Sequence, residues 1–378
     1  MRILHTAATY APSLDGVAEV VRHISEELAH RGHEVHVATR AAPGLPRESA
    51  LNHVQIHRFK VRGNLAKGME GEVREYCEFV RSGRWDIVVN HCLQVWTTDA
   101  LLRQVGSTSW RTLLVTHGLS LSDPTFGNYY RQMPNFLRRY TNWMTISAVN
   151  EEFAYARQHG LPEPAIIQNG VDLQEWKQPI LDMREKWNIG TGPWLINVSN
   201  HSVQKGHSHS FQVASQLRGS GARFTLIGNS IPADKWRLGL AGVMGGCYYE
   251  CLMKALVSDT IDLRTKVPRQ QVVSAIQEAD ILVSTSNWEA NSVVLLESMS
   301  AGTPWVSFDV GSARDNAGGL VVNTVGEMTE TVTELLRDRD RRKSLGLEGR
   351  ARARERHDWA RIVDQYEELY ECSTEQRV

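Results

Sequence analysis

The sequence lacks an excess of charge of either sign, because its 42 Lys and Arg residues nearly balance its 43 Asp and Glu residues. Domains that bind nucleic acid need a surplus of basic residues, so the composition gives no support to that function. Cysteine is also scarce, and an odd, scattered set of five indicates reduced thiols rather than a disulfide framework. There is no long apolar run, and residues 1–5 lead straight into a predicted strand. We therefore expect no signal peptide, no membrane span and a cytoplasmic protein, with peripheral membrane contact left open.

The sequence does contain enough apolar residues for two domains, because 42% of its 378 residues are hydrophobic. Short apolar segments alternate with helical patterns, which predicts parallel sheets with helices on both faces. The predicted strands are residues 3–8, 33–38, 54–61, 86–90, 113–116, 144–149, 194–198, 223–227, 262–267, 279–285 and 304–309. The predicted helices include residues 16–31, 151–158 and 359–372. The fold class is therefore α/β with two doubly wound halves.

We expect each half to form a Rossmann-like domain, and the two domains to face a central cleft. Ligands of such sheets bind at the carboxyl ends of the strands, so the cleft is the expected place for a site. Residues 173–193 are interpreted as a polar connector, and we place the N-terminal domain at 1–175 and the C-terminal domain at 176–357. We expect residues 358–378 to form a helix that packs back on the N-terminal domain.

The segment 287–298 carries the strongest candidate site. Glu289 lies on the loop after a predicted strand, and Glu297 lies about a turn and a half inside the following helix. A helix start offers its free backbone N–H groups to an anion. The amides expected to do so belong to Asn291, Ser292 and Val293. A nucleotide sugar would bind here through its phosphates and hydroxyls, and the simpler alternative is that both carboxylates are solvated.

Further candidates lie where other predicted strands end. Lys205 stands beside Gly206 at a helix start, where an ammonium can donate to phosphate. His117 follows a strand and would donate to a reacting sugar or stabilise developing charge, unless it only caps the turn. Asp15 is predicted to cap the first helix, with contact to an acceptor as the alternative. Gly16 leaves room for a ligand to approach the helix amides.

Two cysteines and three histidines are potential metal ligands. Cys247 and Cys251 can share a helix face, but no second ligand pair follows them, and zinc takes four ligands. The histidines at positions 201, 207 and 209 have no carboxylate or cysteine among them, so we interpret them as polar loop residues. We therefore expect no metal and no cofactor.

Six segments in this order resemble the family 4 retaining glycosyltransferases of GT-B fold, the glycosyl transferases group 1. They are the opening strand with Gly16 and residues 31–35, 169–172, 205–206, 289–297 and 301–304. The ending, residues 357–362, is similar to the closing helix of that family. The resemblance implies transfer of a hexose-like sugar from a nucleotide-diphosphate sugar, with a UDP-sugar as the first expectation and a GDP-sugar as the second. It also implies that the reaction retains configuration and needs no metal.

The resemblance implies roles for single residues. Lys205 would bind the donor diphosphate, Glu289 the hydroxyls of the transferred sugar, and Glu297 the ribose. His117 would lie near the anomeric carbon, so the expected catalytic residues are His117, Glu289 and Lys205. The expected donor-binding residues are Gly16, Asn200, Lys205, Glu289, Asn291, Ser292, Val293 and Glu297, and the expected acceptor-binding residue is Asp15.

Two positions depart from the family pattern. The family usually has Arg five residues before the Lys, whereas this chain has Asn200. A neutral hydrogen bond to phosphate is weaker than a charge-assisted one, and Arg264 is a candidate substitute by region only. The family's first loop usually has glycine where this chain has Asp15, whose carboxylate would repel a diphosphate. We therefore expect Asp15 to face the acceptor.

The acceptor is predicted only by class. Residues 128–140 interleave aromatic residues with Arg, which suits either a membrane-facing surface with a lipid-linked acceptor or an amphipathic helix packed on the first domain. A small polar acceptor is slightly favoured. Two other functions stay open, namely another GT-B enzyme such as a sugar-nucleotide epimerase or a phosphorylase, and a non-catalytic partner subunit.

Overall fold

The computed structural model describes residues 1–13, 15–121, 123–178, 180–229 and 247–372, with the side chain of Cys372 outside the description. These residues divide into two units. Unit 1 comprises Met1–Asn169 and the helix that begins at Trp359, and unit 2 comprises Gly170–Asp358. No helix within the described ranges is both long and apolar enough to cross a bilayer.

Unit 1 is built on an eight-stranded sheet whose order is β10-β9-β8-β7-β1-β2-β4-β3. All its pairs are parallel except β3 with β4. The strands of unit 1, including the separate hairpin β5-β6, are β1 (Arg2–Thr6), β2 (Glu34–Arg40), β3 (Glu48–Leu51), β4 (Val54–Phe59), β5 (Val61–Asn64), β6 (Gly68–Gly71), β7 (Ile87–His91), β8 (Arg111–Val115), β9 (Asn142–Thr145) and β10 (Ala165–Ile166). The strand order reverses between β1 and β7, so the carboxyl ends of these two strands flank a switch point.

The helices of unit 1 are α1 (Gly16–His30), α2 (Val73–Ser82), α3 (Trp96–Asp99), α4 (Gly127–Leu137) and α5 (Glu151–His159). Helix α1 follows directly from its sequence. Asp15 caps it by accepting the amide of Ala18 at 3.0 Å, and its buried stripe includes Val20, Ile24 and Leu28. The predicted N-cap role of Asp15 is therefore confirmed.

The antiparallel strand β3 and the hairpin β5-β6 have no counterpart among the predicted strands. The predicted strand 54–61 is divided in the structure, because β4 ends at Phe59 and β5 begins at Val61, and the hairpin contains glycines with positive φ. A Cβ at Gly63 would lie 1.8 Å from the carbonyl oxygen of Gly68, so the close pairing of these strands depends on glycine.

The aromatic segment 128–140 forms α4 and its C-terminal turn. Tyr129, Tyr130 and Tyr140 are buried in a hydrophobic cluster, whereas Arg131 and Arg138 are exposed. This is the amphipathic helix packed on its own unit, and its buried tyrosines are not part of a membrane-facing surface.

Unit 2 contains a six-stranded, fully parallel sheet in the order β13-β12-β11-β14-β15-β16. Its strands are β11 (Trp194–Val198), β12 (Arg223–Ile227), β13 (Ile261–Arg264), β14 (Ile281–Ser284), β15 (Trp305–Phe308) and β16 (Gly319–Val322). Its helices are α6 (Met183–Lys186), α7 (His207–Gln216), α8 (Tyr248–Leu256), α9 (Arg269–Glu278), α10 (Val293–Ala301), α11 (Val325–Arg337) and α12 (Arg339–Arg356). The order reverses between β11 and β14, so the loops after these strands lie at the switch point of this sheet.

The interpretation of residues 173–193 as a polar connector is wrong. Trp176, Met183 and Trp187 are buried in the core of unit 2, in one cluster with Trp194. The amide of Val171 also donates to the carbonyl of His357, which ties the start of this segment to the end of unit 2. These contacts place the division between the units after residue 169 rather than after residue 175.

The last helix, α13 (Trp359–Cys372), belongs to unit 1. The guanidinium of Arg31, at the end of α1, donates to Asp364 at 2.7 Å and also contacts Glu367. Tyr366 and Tyr370 are fully buried on the same helix. Residues 373–378 of the predicted terminal segment lie outside the described residues.

Candidate functional site in unit 2

Two loops meet at the switch point of unit 2. The loop after β11 ends in a short 3-10 helix, Val203–Lys205, and the loop after β14 contains Asn287 and Glu289. The amide of Asn287 donates to the carbonyl of Gln204 at 2.7 Å, so the two loops are bonded through their backbones. The Nζ of Lys205 lies 2.5 Å from Oε1 of Glu289. The structure thus brings together the ammonium and the carboxylate that the sequence predicted as donor ligands.

Gly206 is required for this approach of the two loops. It adopts φ +58°, and a Cβ on it would lie 2.1 Å from the carbonyl oxygen of Thr285. A side chain at this position would separate Lys205 from Glu289, because the obstacle is backbone rather than a flexible side chain. The glycine therefore has a steric reason beyond its left-handed conformation.

The start of α10 is suited to binding an anion. Its N-cap residue, Ser292, makes no side-chain capping bond, and the first turn carries no acidic residue. The amide nitrogen of the Asn291 side chain donates instead to Ser312 at 2.9 Å, which fixes the loop from behind. Backbone N–H groups at such a helix start attract negative charge.

Glu297 is buried on α10 and pairs with Arg269, whose Nη2 lies 2.6 Å from Oε1 of Glu297. Arg269 is also bonded to Glu175 at 2.6 Å. Sequence reasoning missed Arg269, although its place at the start of α9, just beyond the end of β13, was a signal. The suggested substitute cation, Arg264, is bonded to Asp262 at 2.5 Å and lies over the ring of Trp187. Arg269, and not Arg264, is therefore the arginine that contacts the predicted donor ligand Glu297.

The remaining predicted donor residues have local roles as well. Oδ1 of Asn200 accepts the amide of Asn229 at 3.2 Å, so this side chain supports the loop after β11. Gly16 is the first residue of α1, and a Cβ on it would meet no atom within 4 Å. Asp15 uses both carboxylate oxygens, because Oδ2 accepts from the hydroxyl of Ser13 at 2.8 Å.

Unit 1 contains a chain of three histidines at the ends of β1, β7 and β8. Nδ1 of His5 lies 2.9 Å from Nε2 of His91, and Nδ1 of His91 lies 3.0 Å from Nε2 of His117. Sequence reasoning identified His117 only, although His5 and His91 occupy the same kind of position. Burial lowers the pKa of His5 to about 3 and that of His117 to about 4, and it holds the pKa of His91 well below its usual range. The three rings are therefore neutral at pH 7.

The direction of these hydrogen bonds follows from the surroundings of Nε2 of His5. Nε2 of His5 is buried and has no hydrogen-bond partner among the described residues. Orphaned buried N–H groups are rarer than unpaired acceptors, so this nitrogen is assigned as unprotonated. His5 then donates to His91, and His91 donates to Nε2 of His117. His117 consequently carries its own proton on Nδ1, where it can serve as a neutral hydrogen-bond donor.

Two family models match the chain on either side of the division between the units. The model described as glycosyl transferase 4-like domain matches residues 15–170, and the model described as glycosyl transferases group 1 matches residues 180–352. The chain belongs to the family 4 glycosyltransferases of GT-B fold. The resemblance drawn from the sequence motifs is thereby confirmed.

Curated relatives of this glycosyltransferase differ in the length that they share with it. It is 30% identical over 120 residues to alpha-maltose-1-phosphate synthase of Mycolicibacterium smegmatis, a match that spans 29% of this chain and 31% of the relative. It is 23% identical to N-acetyl-alpha-D-glucosaminyl L-malate synthase of Bacillus anthracis over 97% of this chain and 96% of the relative. The first of these matches spans less than a third of the relative's length.

Solved structures share the fold of this glycosyltransferase over its whole length. The sucrose-phosphate synthase of Thermosynechococcus elongatus superposes with a TM-score of 0.81 at 18% identity, covering 98% of both chains. The Anabaena protein HepE in complex with UDP and glucose superposes with a TM-score of 0.77 at 15% identity, covering 98% of this chain and 100% of the other. At such identities the likeness concerns the fold.

Proposed function

We propose that this glycosyltransferase moves a hexose-like sugar from a UDP-sugar to a small polar acceptor, with retained configuration and without a metal in the reaction. The observation that carries the proposal is the 2.5 Å contact between Lys205 and Glu289 at the switch point of unit 2. It places a phosphate-binding cation directly beside a carboxylate that can accept bonds from sugar hydroxyls.

The donor is held at three points that follow the order of its chemical groups. Lys205 and the uncapped start of α10 bind the diphosphate, because both carry positive charge. Glu289 accepts bonds from hydroxyls of the transferred sugar. Glu297, one turn deeper on α10, accepts bonds from the ribose, and Arg269 holds its carboxylate in place. The solved HepE complex with UDP and glucose supports UDP as the nucleotide to test first.

The chemistry needs stabilisation of the leaving diphosphate more than it needs a strong base. The acceptor oxygen forms a bond to the anomeric carbon, on the face from which the phosphate oxygen departs. The bond between the anomeric carbon and the phosphate oxygen breaks. The acceptor's proton passes to an oxygen of the leaving phosphate. Lys205 and the α10 amides stabilise the negative charge that develops there. His117 donates from its neutral ring to the transferred sugar, as the family resemblance implies.

A small polar acceptor is preferred over a lipid-linked one. The aromatic residues that suggested membrane docking are buried within unit 1. The name of the Bacillus anthracis relative, which aligns over 97% of this chain, specifies L-malate, a small polar molecule. Asp15 stays the proposed acceptor ligand, and its two occupied oxygens leave further lone pairs for a hydroxyl or an amine.

The test compares two variants with a matched control. Glu289→Gln should lower kcat/KM for transfer at least about tenfold while the Kd for UDP, measured by calorimetry, changes by less than about twofold. Lys205→Ala should weaken UDP binding about tenfold, because it removes a charge-assisted contact. Lys177→Ala removes an exposed lysine of the same unit and should change neither quantity.

The outcomes separate this function from its alternatives. A thermal-shift screen should show that a UDP-sugar raises Tm, and proton NMR of the product should show the donor's anomeric configuration. Consumption of the donor without any acceptor would indicate an epimerase. Failure of every nucleotide sugar to bind would indicate a non-catalytic subunit, and an equal loss of UDP affinity in Glu289→Gln would contradict the role of Glu289.

A further inference from the structure

Four side chains of unit 2 converge beside the donor loop. They are His201, His207, Cys247 and Cys251, and one ligand atom of each lies within 4.8 Å of all the others. Nδ1 of His201 and Nδ1 of His207 are 3.2 Å apart. Sγ of Cys247 lies 3.6 Å from Nδ1 of His201 and 3.3 Å from Nδ1 of His207, and Sγ of Cys251 lies 3.8 Å from Nδ1 of His207.

These separations match the edges of a tetrahedron around one zinc ion. With Zn–N of about 2.1 Å and Zn–S of about 2.3 Å, tetrahedral geometry places the ligand atoms about 3.4–3.8 Å apart. The four separations given above run from 3.2 to 3.8 Å, and the other two lie within 4.8 Å. Two thiolates with two imidazoles form one of the ligand sets that zinc takes in closed structural sites.

The hydrogen bonds around His207 leave the required lone pair on Nδ1. The hydroxyl of Ser199 donates to Oδ1 of Asn197 at 2.7 Å, so its oxygen accepts the proton that Nε2 of His207 offers at 2.8 Å. A neutral ring that is protonated on Nε2 has a free lone pair on Nδ1, and this atom is the one that faces both cysteines. An outer partner that fixes the tautomer in this way is typical of histidines that bind metals.

Zinc binds thiolates rather than thiols, so both cysteines would lose their protons when the ion binds. His201, His207 and Cys251 are buried and Cys247 is half-buried, as expected of a structural rather than an exchangeable site.

We propose that His201, His207, Cys247 and Cys251 bind one structural zinc ion that fixes the loop carrying Lys205. The four protein ligands complete the tetrahedron, so the ion has no open position for substrate and takes no part in the transfer. His201 and His207 stand on either side of the 3-10 helix Val203–Lys205, while the cysteines come from the start of α8. Zinc thus joins both ends of the donor loop to a separate helix. The role in the loop rests on the proposed function, whereas the binding of zinc does not.

Metal content of the full chain tests the site directly. The protein, purified without added metal and dialysed, should contain about one zinc per chain by plasma mass spectrometry. Cys247→Ser and Cys251→Ser should reduce this content at least about tenfold, since each removes a thiolate ligand. Cys77→Ser is the matched control, because Cys77 is a free, half-buried thiol of unit 1 and its loss should leave the zinc content unchanged.

A spectroscopic measurement keeps the test independent of whether the serine variants fold. Replacement of zinc by Co²⁺ in the unmodified protein should give tetrahedral d–d bands and a thiolate charge-transfer band. Folded protein that holds neither zinc nor cobalt, or that carries a disulfide between Cys247 and Cys251, would overturn the site.

Removal of zinc by a chelator tests its effect on the loop. It should weaken UDP binding about tenfold in calorimetry, and added zinc should restore the affinity. Zinc that can be removed without any change in the Kd for UDP would overturn the link to the loop. Zinc-loaded protein that binds no nucleotide would refute the proposed function and leave the metal site standing.

Discussion

Replacement of His5 by Asn should make unit 1 less sensitive to acid. His5 is fully buried, its Nδ1 bonds to His91, and burial lowers its pKa to about 3. An unfolded histidine has a pKa of about 6.5. Between pH 7 and pH 5 the unfolded chain therefore binds a proton at His5 that the folded chain does not bind. Stability rises with pH in this window and falls as the pH is lowered.

The size of the effect follows from the two pKa values of His5. Lowering the pH from 7 to 5 should reduce the free energy of opening by about 2 kcal/mol through this ring. Asp99 acts in the opposite direction, because burial raises its pKa to about 6 and the folded state binds its proton first. Its contribution over the same range is about 1 kcal/mol of added stability at pH 5. The unmodified chain and His5→Asn both contain Asp99, so the contribution of Asp99 cancels when their pH dependences are compared.

Amide hydrogen exchange of peptides from β1 and β7 reports the opening of unit 1 by itself. The loss of opening free energy from pH 7 to pH 5 should be about 2 kcal/mol smaller in His5→Asn than in the unmodified chain. His53→Asn is the control, because His53 is exposed and Asn tolerates its φ of 67°. Equal losses in the unmodified chain and in His5→Asn would refute the neutral histidine chain.

Three further substitutions test the donor and acceptor assignments. Gly16→Ala should stabilise α1 by about 0.4–1 kcal/mol in calorimetric unfolding yet weaken UDP-sugar binding, whereas Gly127→Ala, also at a helix start with open space, should leave binding unchanged. Arg269→Gln should raise the Kd for UDP about fivefold by freeing the carboxylate of Glu297, and an unchanged Kd would count against the positioning role. Asp15→Asn keeps an N-cap and should raise the acceptor KM, so unaltered kinetics would remove Asp15 from the acceptor site.

The sequence predicted the fold well because the information needed is local. Buried strands followed by amphipathic helices repeat along the chain, and each signal lies within one element. The hairpin β5-β6 escaped because its strands are short and its turn residues are glycines, which carry no periodic signal. The segment 173–193 was misjudged because its few apolar residues, Trp176 and Trp187 among them, are spaced as in a loop although each fills the core.

The candidate site was predictable to the extent that its residues follow strands. Lys205 and Glu289 were identified singly from their places after β11 and β14, and strand order then brings their loops together. Arg269 was missed because its pairing with Glu297 joins residues of separate helices, which no spacing rule describes. Likewise His5 and His91 are recognisable as members of a hydrogen-bonded chain that ends at His117 only when three strands are known to be neighbours.

The cysteine and histidine cluster shows that ligand pairs far apart in the sequence can meet when the strands next to them are close in the sheet. The sequence offered His201 and His207 in one segment and Cys247 and Cys251 in another, and each pair alone is too few for zinc. The histidines follow β11, whereas the cysteines belong to the helix that leads into β13, and only β12 separates these strands in the sheet. The fold of unit 2 therefore brings the two pairs together into one set of four ligands, although His207 and Cys247 are 40 residues apart in the sequence. The same reasoning connects the ion to function, because the segment between its histidines contains Lys205.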